Sequence, residues 1–308
     1  MPSDAAIRMA GAEHVKRLAA DGTLSSDDLR TGFEFERQRV PIVNPQRGIF
    51  KPRAMDYVLS VRTVYPRVGA RIWYDDQRTV HEQIERGEEL VDYAFMGTDP
   101  NAADNRWLRE ACEAQIPIIY FLGVAPGRYT AIWPTYIADW SASELKVQLA
   151  FSTTPESEVS WSLPDAPERR YALRSVRQRL HQATFREAVL SAYQGRCAIS
   201  GLPERRLLDA AHIIADREED LGQPVVPNGL PLSKIHHAAF DANLIGIDPD
   251  YRVHVSDVLL EMNDGPMFEH GIKAMAGRSI QLPRREADLP DRERLAERFE
   301  RFANVGWR

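Results

Sequence analysis

The stretch Tyr193–Asp248, YQGRCAISGLPERRLLDAAHIIADREEDLGQPVVPNGLPLSKIHHAAFDANLIGID, carries three of the chain's eight histidines and one of its two cysteines. LLDAAHII reads as a strand bearing His212. A polar loop follows as far as Asn228, and then a helical segment bears His237 and Asp241. His237 and Asp241 are spaced i, i+4, so on a helix they face one side and can hold a cation together. Asp209 shares a strand face with Ala211, two residues on. Asn228 offers a carboxamide able to hydrogen-bond either an imidazole or the backbone. Hydrolysis of a phosphodiester needs a base to deprotonate water and a divalent ion to stabilise charge on the phosphate and the leaving oxygen. A histidine and one metal supply both.

Three short segments, AAHI, NGLPL and HHAAFD, occur in order, with His237 nine residues after Asn228. In this they resemble the HNH (ββα-metal) nucleases, and most closely the restriction endonucleases of that type. The resemblance implies that His212 is the base that activates water, that Asn228 orients it, and that His237 is the metal ligand on the helix. The implied cofactor is one Mg²⁺ or Mn²⁺ per site. Two departures stand out. Where many family members hold a zinc with two CxxC pairs, the matching positions here read Cys197, Ser200, Ser233 and His236. One thiolate, one imidazole and two hydroxyls make a poor tetrahedral zinc site. No structural zinc is expected, with packing by Leu202, Leu207, Leu230, Leu232 and Ile235 in its place. The residue before the base, often a metal ligand, is Ala211, which leaves Asp209 or Asp241 to complete the metal site. His254 and His270 read as surface residues, and Asp248-Pro249-Asp250 as a turn between strands.

Around this core the chain has 308 residues, of which 44% are hydrophobic, enough for two domains. A cut at Asp165 separates 18 Lys and Arg against 24 Asp and Glu from a second half with 21 of each, so the net charge of -6 belongs to the first half. Uniform non-specific binding to polyphosphate is thereby excluded, and any DNA contact must be local. Residues 166–190 hold six Arg against two Glu. They read as a basic helix with Tyr171, Leu173, Val176, Leu180 and Phe185 inward. Arg170, Arg174 and Arg177 are its candidate phosphate contacts, the other reading being a solvated face.

Cys112 and Cys197 are too few for a disulfide framework. No apolar run approaches the roughly 18 residues of a membrane span, and the first residues lack the apolar core of a signal peptide. A cytoplasmic protein is expected.

Residues 4–20 and 26–36 read as helices. VPIVN, YVLSVRTVY, RIWYDD, LVDYAFMG, IPIIYFLGV and YTAIWPTYIADW read as strands, interrupted by one helix, DNRWLREACEAQ. The second half reads as a helix over 169–193, a hairpin region over 197–214, a helix over 231–241, a hairpin over 243–256 and a charged helix over 290–303. The fold class expected is α+β: a curved or barrel-like β-rich domain over 1–165 ahead of a ββα-metal nuclease domain over 166–308. A base extruded from the duplex needs aromatic faces and a carboxylate. Tyr74, Asp75, Asp76 and Tyr93 combine the two, with Arg62, Arg67, Arg71 and Arg78 nearby. The domain order and the Tyr74-Asp75-Asp76 segment resemble the SRA-HNH modification-dependent restriction enzymes. That resemblance implies an SRA-like reader of 5-methylcytosine or 5-hydroxymethylcytosine in double-stranded DNA. Because a single HNH site nicks one strand, a homodimer is the expected cutting form. Two other readings stay open: a non-catalytic DNA-binding protein with a degenerate HNH fold, and an HNH nuclease whose first domain reads sequence, damage or a partner protein.

Overall fold

Ile118–Ala125 is buried along nearly its whole length, and its alternate residues enter two different cores. Ile118, Tyr120, Leu122 and Val124 belong to one cluster, while Ile119 and Phe121 belong to another. A strand covered on both faces reads as a continuous apolar run rather than an alternating one. A computed structural model describes residues 3–19, 22–65, 76–153, 162–215, 221–263 and 265–305. It divides into two compact units, Met1–Ala183 and Thr184–Arg308.

The first unit contains, in order, α1 (Asp4–Leu18), β1 (Leu24–Ser25), α2 (Ser26–Thr31), β2 (Phe33–Phe35), β3 (Gln38–Val40), β4 (Ile49–Phe50) and β5 (Ser60–Thr63). It continues with α3 (Asp76–Arg86), β6 (Val91–Ala94), α4 (Ala103–Glu113), β7 (Ile118–Ala125), β8 (Arg128–Ser141) and β9 (Lys146–Phe151). The helix α5 (Ala166–Ala192) follows. Seven strands form one mixed sheet in the order β4-β5-β7-β8-β9-β6, with β1 pairing β8. β5 and β7 run parallel and the other pairs antiparallel. Register shifts in β7–β8 and β8–β9 bend the strands, as bulges do, and the sheet is curled. One face packs Val80, Ile84, Leu108 and Ala111 from α3 and α4, and the other packs Ile7, Ala12 and Val15 from α1.

Several elements differ from the sequence reading. The second helix ends at Thr31, because Gly32 turns at φ +62° and a Cβ there would meet the Val40 carbonyl oxygen at 2.5 Å. Phe33–Val40 then forms a hairpin. β9 and α3 were not expected, and RIWYDD lies largely outside the described residues.

The expected cut at Asp165 precedes α5, whereas the two units divide inside that helix. Its first half buries Ala172, Leu173, Val176, Leu180 and Ala183 in the first unit's core, and Leu190 belongs to the second core. Tyr171 is out of phase with that stripe and is 66% exposed, contrary to expectation.

The second unit continues with β10 (Leu208–His212), β11 (Gly229–Ser233), α6 (Lys234–Asp241), β12 (Ile245–Ile247) and β13 (Val253–Val255). The helices α7 (Asp257–Glu261), α8 (Pro266–Gly271) and α9 (Arg292–Asn304) complete it. β10 pairs antiparallel with β11, so the strand bearing His212 finds its partner beyond the loop rather than in a hairpin within 197–214. The helix expected from 231 begins at 234: Pro231 sits in β11, and the Ser233 hydroxyl caps α6 by accepting the His236 N–H. Among the described residues no helix is long and apolar enough to cross a membrane.

Candidate nuclease site

β10, β11 and α6 form a ββα unit, with a residue singled out above on β10, on α6 and in the turn that leads into β11. His212 ends β10 directly opposite Gly229 of β11. Its ring stacks on Phe185 of α5, with centroids 4.2 Å apart and planes inclined by 15°. Gly229 has no room for a side chain, since a Cβ there would meet Val189 Cγ2 at 2.4 Å and Phe185 Cζ at 2.8 Å. The stretch of α5 beside Phe185 is tied to the start of β10 by charge. Arg186 Nη2 donates to the carbonyl oxygens of Arg205 (3.1 Å) and Leu208 (2.9 Å). Glu187, 4% exposed, accepts from Arg205 Nη2 at 2.6 Å and lies 3.4 Å from Arg186 Nη1. A buried carboxylate needs such partners to remain charged.

Asn228, at the head of β11, is fully buried. Its Oδ1 accepts the Ile214 N–H at 2.9 Å, and its Nδ2 donates to the carbonyls of Ile214 and Gln223, both at 3.0 Å. The Ile213 N–H donates to the Asn228 carbonyl at 2.9 Å. Of the two uses open to this carboxamide, the structure shows the backbone one: it fastens the chain immediately after His212.

His237 is half-buried on α6, with carboxylates at both ring nitrogens. Asp209 Oδ2 lies 3.3 Å from Nδ1, and Asp241 Oδ2 lies 3.3 Å from Nε2. Strand alternation brings Asp209 to this helix, and the i, i+4 spacing brings Asp241. The three residues expected to hold one metal are therefore together, but they do not converge. The nitrogen lone pairs of an imidazole diverge, so a cation at one nitrogen has one of the two carboxylates within reach. Among the described residues no three His, Cys, Asp or Glu side chains form a metal-holding cluster. One imidazole and one carboxylate would leave a divalent ion most of its coordination sphere for waters and substrate phosphate oxygens.

The four positions matching a zinc site are joined by hydrogen bonds. Cys197 Sγ accepts the N–H groups of Ser200 (3.4 Å) and Ser233 (3.3 Å) and lies 3.4 Å from His236 Nδ1. His236 Nε2 donates to the Gly271 carbonyl at 2.7 Å. Burial opposes ionisation of the Cys197 thiol, but His236 and the Ser200 and Ser233 donors outweigh it and bring the thiol down to about 6. Burial likewise works against a charged His236, and its bonds to Cys197 and Gly271 raise it above the ordinary imidazole value. Leu230 and Leu232 are buried beside this cluster and Leu202 partly so. Leu207 and Ile235, expected to pack there, are 49% and 48% exposed because each sits on the outer side of its short helix.

The remaining expectations fare unevenly. Tyr93 is a core residue rather than a pocket wall: it is 5% exposed and packs edge-on against Tyr120, because β6 turns that position into the first unit's core. Tyr74 and Asp75 lie outside the described residues, as do Arg67 and Arg71, and Asp76 begins α3. Arg62 Nη2 donates to the carbonyls of Asn44 and Pro45. Arg170 is paired with Glu89 at 2.9 Å, and Arg177 donates to the Glu85 carbonyl at 3.4 Å. Two of the three proposed phosphate contacts thus already have partners in the first unit, while Arg174 is exposed. His254, read as a bland surface residue, lies 2.8 Å from Asp248 and packs on Phe299.

A ββα unit carrying these side chains is of the kind that defines the ββα nucleases. Residues 197–248 match the family model described as HNH endonuclease. The chain carries an HNH endonuclease domain and is a DNA endonuclease, a hydrolase of phosphodiester bonds. A solved structure, "Modification dependent TagI restriction endonuclease", aligns over 85% of this chain and 87% of its own at 16% identity and a TM-score of 0.34. At that score the two folds agree too loosely to transfer any property between them. No curated protein matches the chain.

Proposed function

We propose that the protein is a divalent-metal-dependent restriction endonuclease that cuts double-stranded DNA carrying a modified base. The observation that carries the nuclease reading is the placement of His212 at the end of one strand, Asn228 directly before the other and His237 on the helix of one ββα unit. His212 accepts the proton of the attacking water. Asn228 holds the peptide that follows the base, so the strand end cannot drift. His237, with Asp209 or Asp241, would hold the cation, Mg²⁺ or Mn²⁺. When bound, that ion supplies charge stabilisation at the phosphate and at the leaving oxygen.

The first unit is the natural reader, since a nuclease unit of this size presents little surface with which to choose a site. Reading of 5-methylcytosine or 5-hydroxymethylcytosine by base extrusion is supported by the Tyr74-Asp75-Asp76 segment, which combines one ring with two carboxylates. One HNH site per chain implies that double-strand cleavage needs two protomers, hence a homodimer. The biological role is defence against foreign DNA.

Supercoiled plasmid in four forms, unmodified, cytosine-methylated, hydroxymethylated and adenine-methylated, incubated with protein and Mg²⁺, Mn²⁺ or EDTA, tests both levels. Metal-dependent cutting confined to the cytosine-modified forms is expected. Equal cutting of all four would remove the modified-base reader. Binding without cutting in any metal would leave a non-catalytic DNA-binding protein.

A further inference from the structure

The side chain that faces the His212 ring comes from outside the ββα unit. Phe185 of α5 lies parallel to the imidazole at 4.2 Å, which is an offset or face-to-face stack rather than an edge contact. Phe185 is itself held in place. It is 4% exposed, and its Cζ comes close over Gly229, the residue paired with His212. The residues after it, Arg186 and Glu187, anchor α5 to Arg205 and Leu208 at the entrance of β10. The phenyl ring is therefore wedged between the backbone of one strand and the imidazole on the other.

We propose that Phe185 is a positioning residue for the base of the cutting reaction: it fixes the plane of the His212 ring and shields one face of it. This rests on His212 being the base, as proposed above. The physical need is clear. Rotation about the Cβ–Cγ bond of histidine is broad and roughly two-fold, so a strand alone leaves the ring plane loosely set. An aromatic stack favours one orientation over the other. A misplaced reacting group can cost on the order of 10²-fold in rate.

The test uses the full chain on the plasmid form that the wild type cuts, with single-turnover rates at saturating protein, dissociation constants for the same DNA, and melting temperatures. Phe185→Leu is expected to cut about tenfold more slowly with DNA affinity unchanged, and Phe185→Tyr to keep most of the wild-type rate. In a His212→Ala background, Phe185→Leu should take nothing further from the residual rate. Metal-free NMR gives a readout apart from cutting: the carbon-bound imidazole protons of His212 should be shifted upfield by the phenyl ring current, and that shift should vanish in Phe185→Leu.

Wild-type cutting by Phe185→Leu, or an equal fractional loss with and without His212, would overturn the proposal, as would absence of the ring-current shift. Undiminished cutting by His212→Ala would instead overturn the base assignment, with the NMR shift still reporting the stack. Should Phe185→Leu lose its fold, Phe185→Tyr against Phe185→Met at matched stability gives the same comparison.

Discussion

Asn228 closes a two-point ring with the peptide of Ile214, accepting its N–H at 2.9 Å and donating to its carbonyl at 3.0 Å. The partner in this ring lies two residues beyond His212. Replacement by Ala would strand a buried N–H and leave two carbonyls without their donor. Each stranded group costs about 1–3 kcal/mol, so Asn228→Ala should lose at least about 3 kcal/mol in urea unfolding and cut far more slowly than the wild type. Asn228→Asp would set a carboxylate against two carbonyl oxygens in a fully buried site and should lose at least as much as Ala. Stability unchanged in Asn228→Ala would mean that the ring does not hold the strand end.

Gly229 offers a steric test of the same region. Its missing Cβ is what lets α5 approach β11 opposite His212, since Val189 and Phe185 occupy the space. Gly229→Ala must push the helix or the strand aside, and overpacking of this kind costs about 1–3 kcal/mol. Because the displaced atoms adjoin His212, cutting should fall by more than the stability loss explains. Thermal unfolding and plasmid cleavage on one preparation separate the two effects.

The two carboxylates at His237 are not equivalent. Asp209 is 35% exposed and Asp241 is 64% exposed, and a charge less surrounded by water acts more strongly on a cation. Mn²⁺ titration followed by calorimetry should therefore show a larger loss of affinity for Asp209→Asn than for Asp241→Asn, and the largest for His237→Ala. The reverse order for the two aspartates would put the ion at Nε2 rather than Nδ1.

The parts of the fold that were legible in advance are those whose signal is local. AAHI, NGL and HHAAFD mark a strand end, a strand head and a helix, and the period of each element brings Asp209 and Asp241 to His237. IPIIYFLGV announced a central strand because burial on both faces leaves no polar position. KVQLAF did not announce β9, since three polar or small residues dilute the run, and its place in the sheet comes from pairing with β6 and β8. Tyr93 was misplaced because an aromatic residue beside an acidic one looks the same in sequence whether it lines a pocket or fills a core. Helical periodicity marked Phe185 as buried but could not say what it would face, because the stack joins residues 27 positions apart in sequence.

Cys197 and His236 give the fold a pH dependence whose sign follows from their shifts. The thiol is lowered when folded, so its contribution is present above the unfolded thiol value and is lost as pH falls through about 6. His236 is raised, so its contribution is present below the ordinary imidazole value and is lost as pH rises through the folded one. Between the two values the lowered thiol and the raised imidazole act in opposite directions. The slope there is flat. Below about 6.5 the unfolded imidazole gains a second proton that the folded pair resists, and stability declines. Cys197→Ser removes the thiolate that raises His236 and leaves burial to oppose the imidazolium, so the decline remains. Urea midpoints at pH 7.5 and 5.5 should therefore separate at least as much for Cys197→Ser as for the wild type, and a separation that vanishes in the variant would mean that His236 is raised without the thiolate.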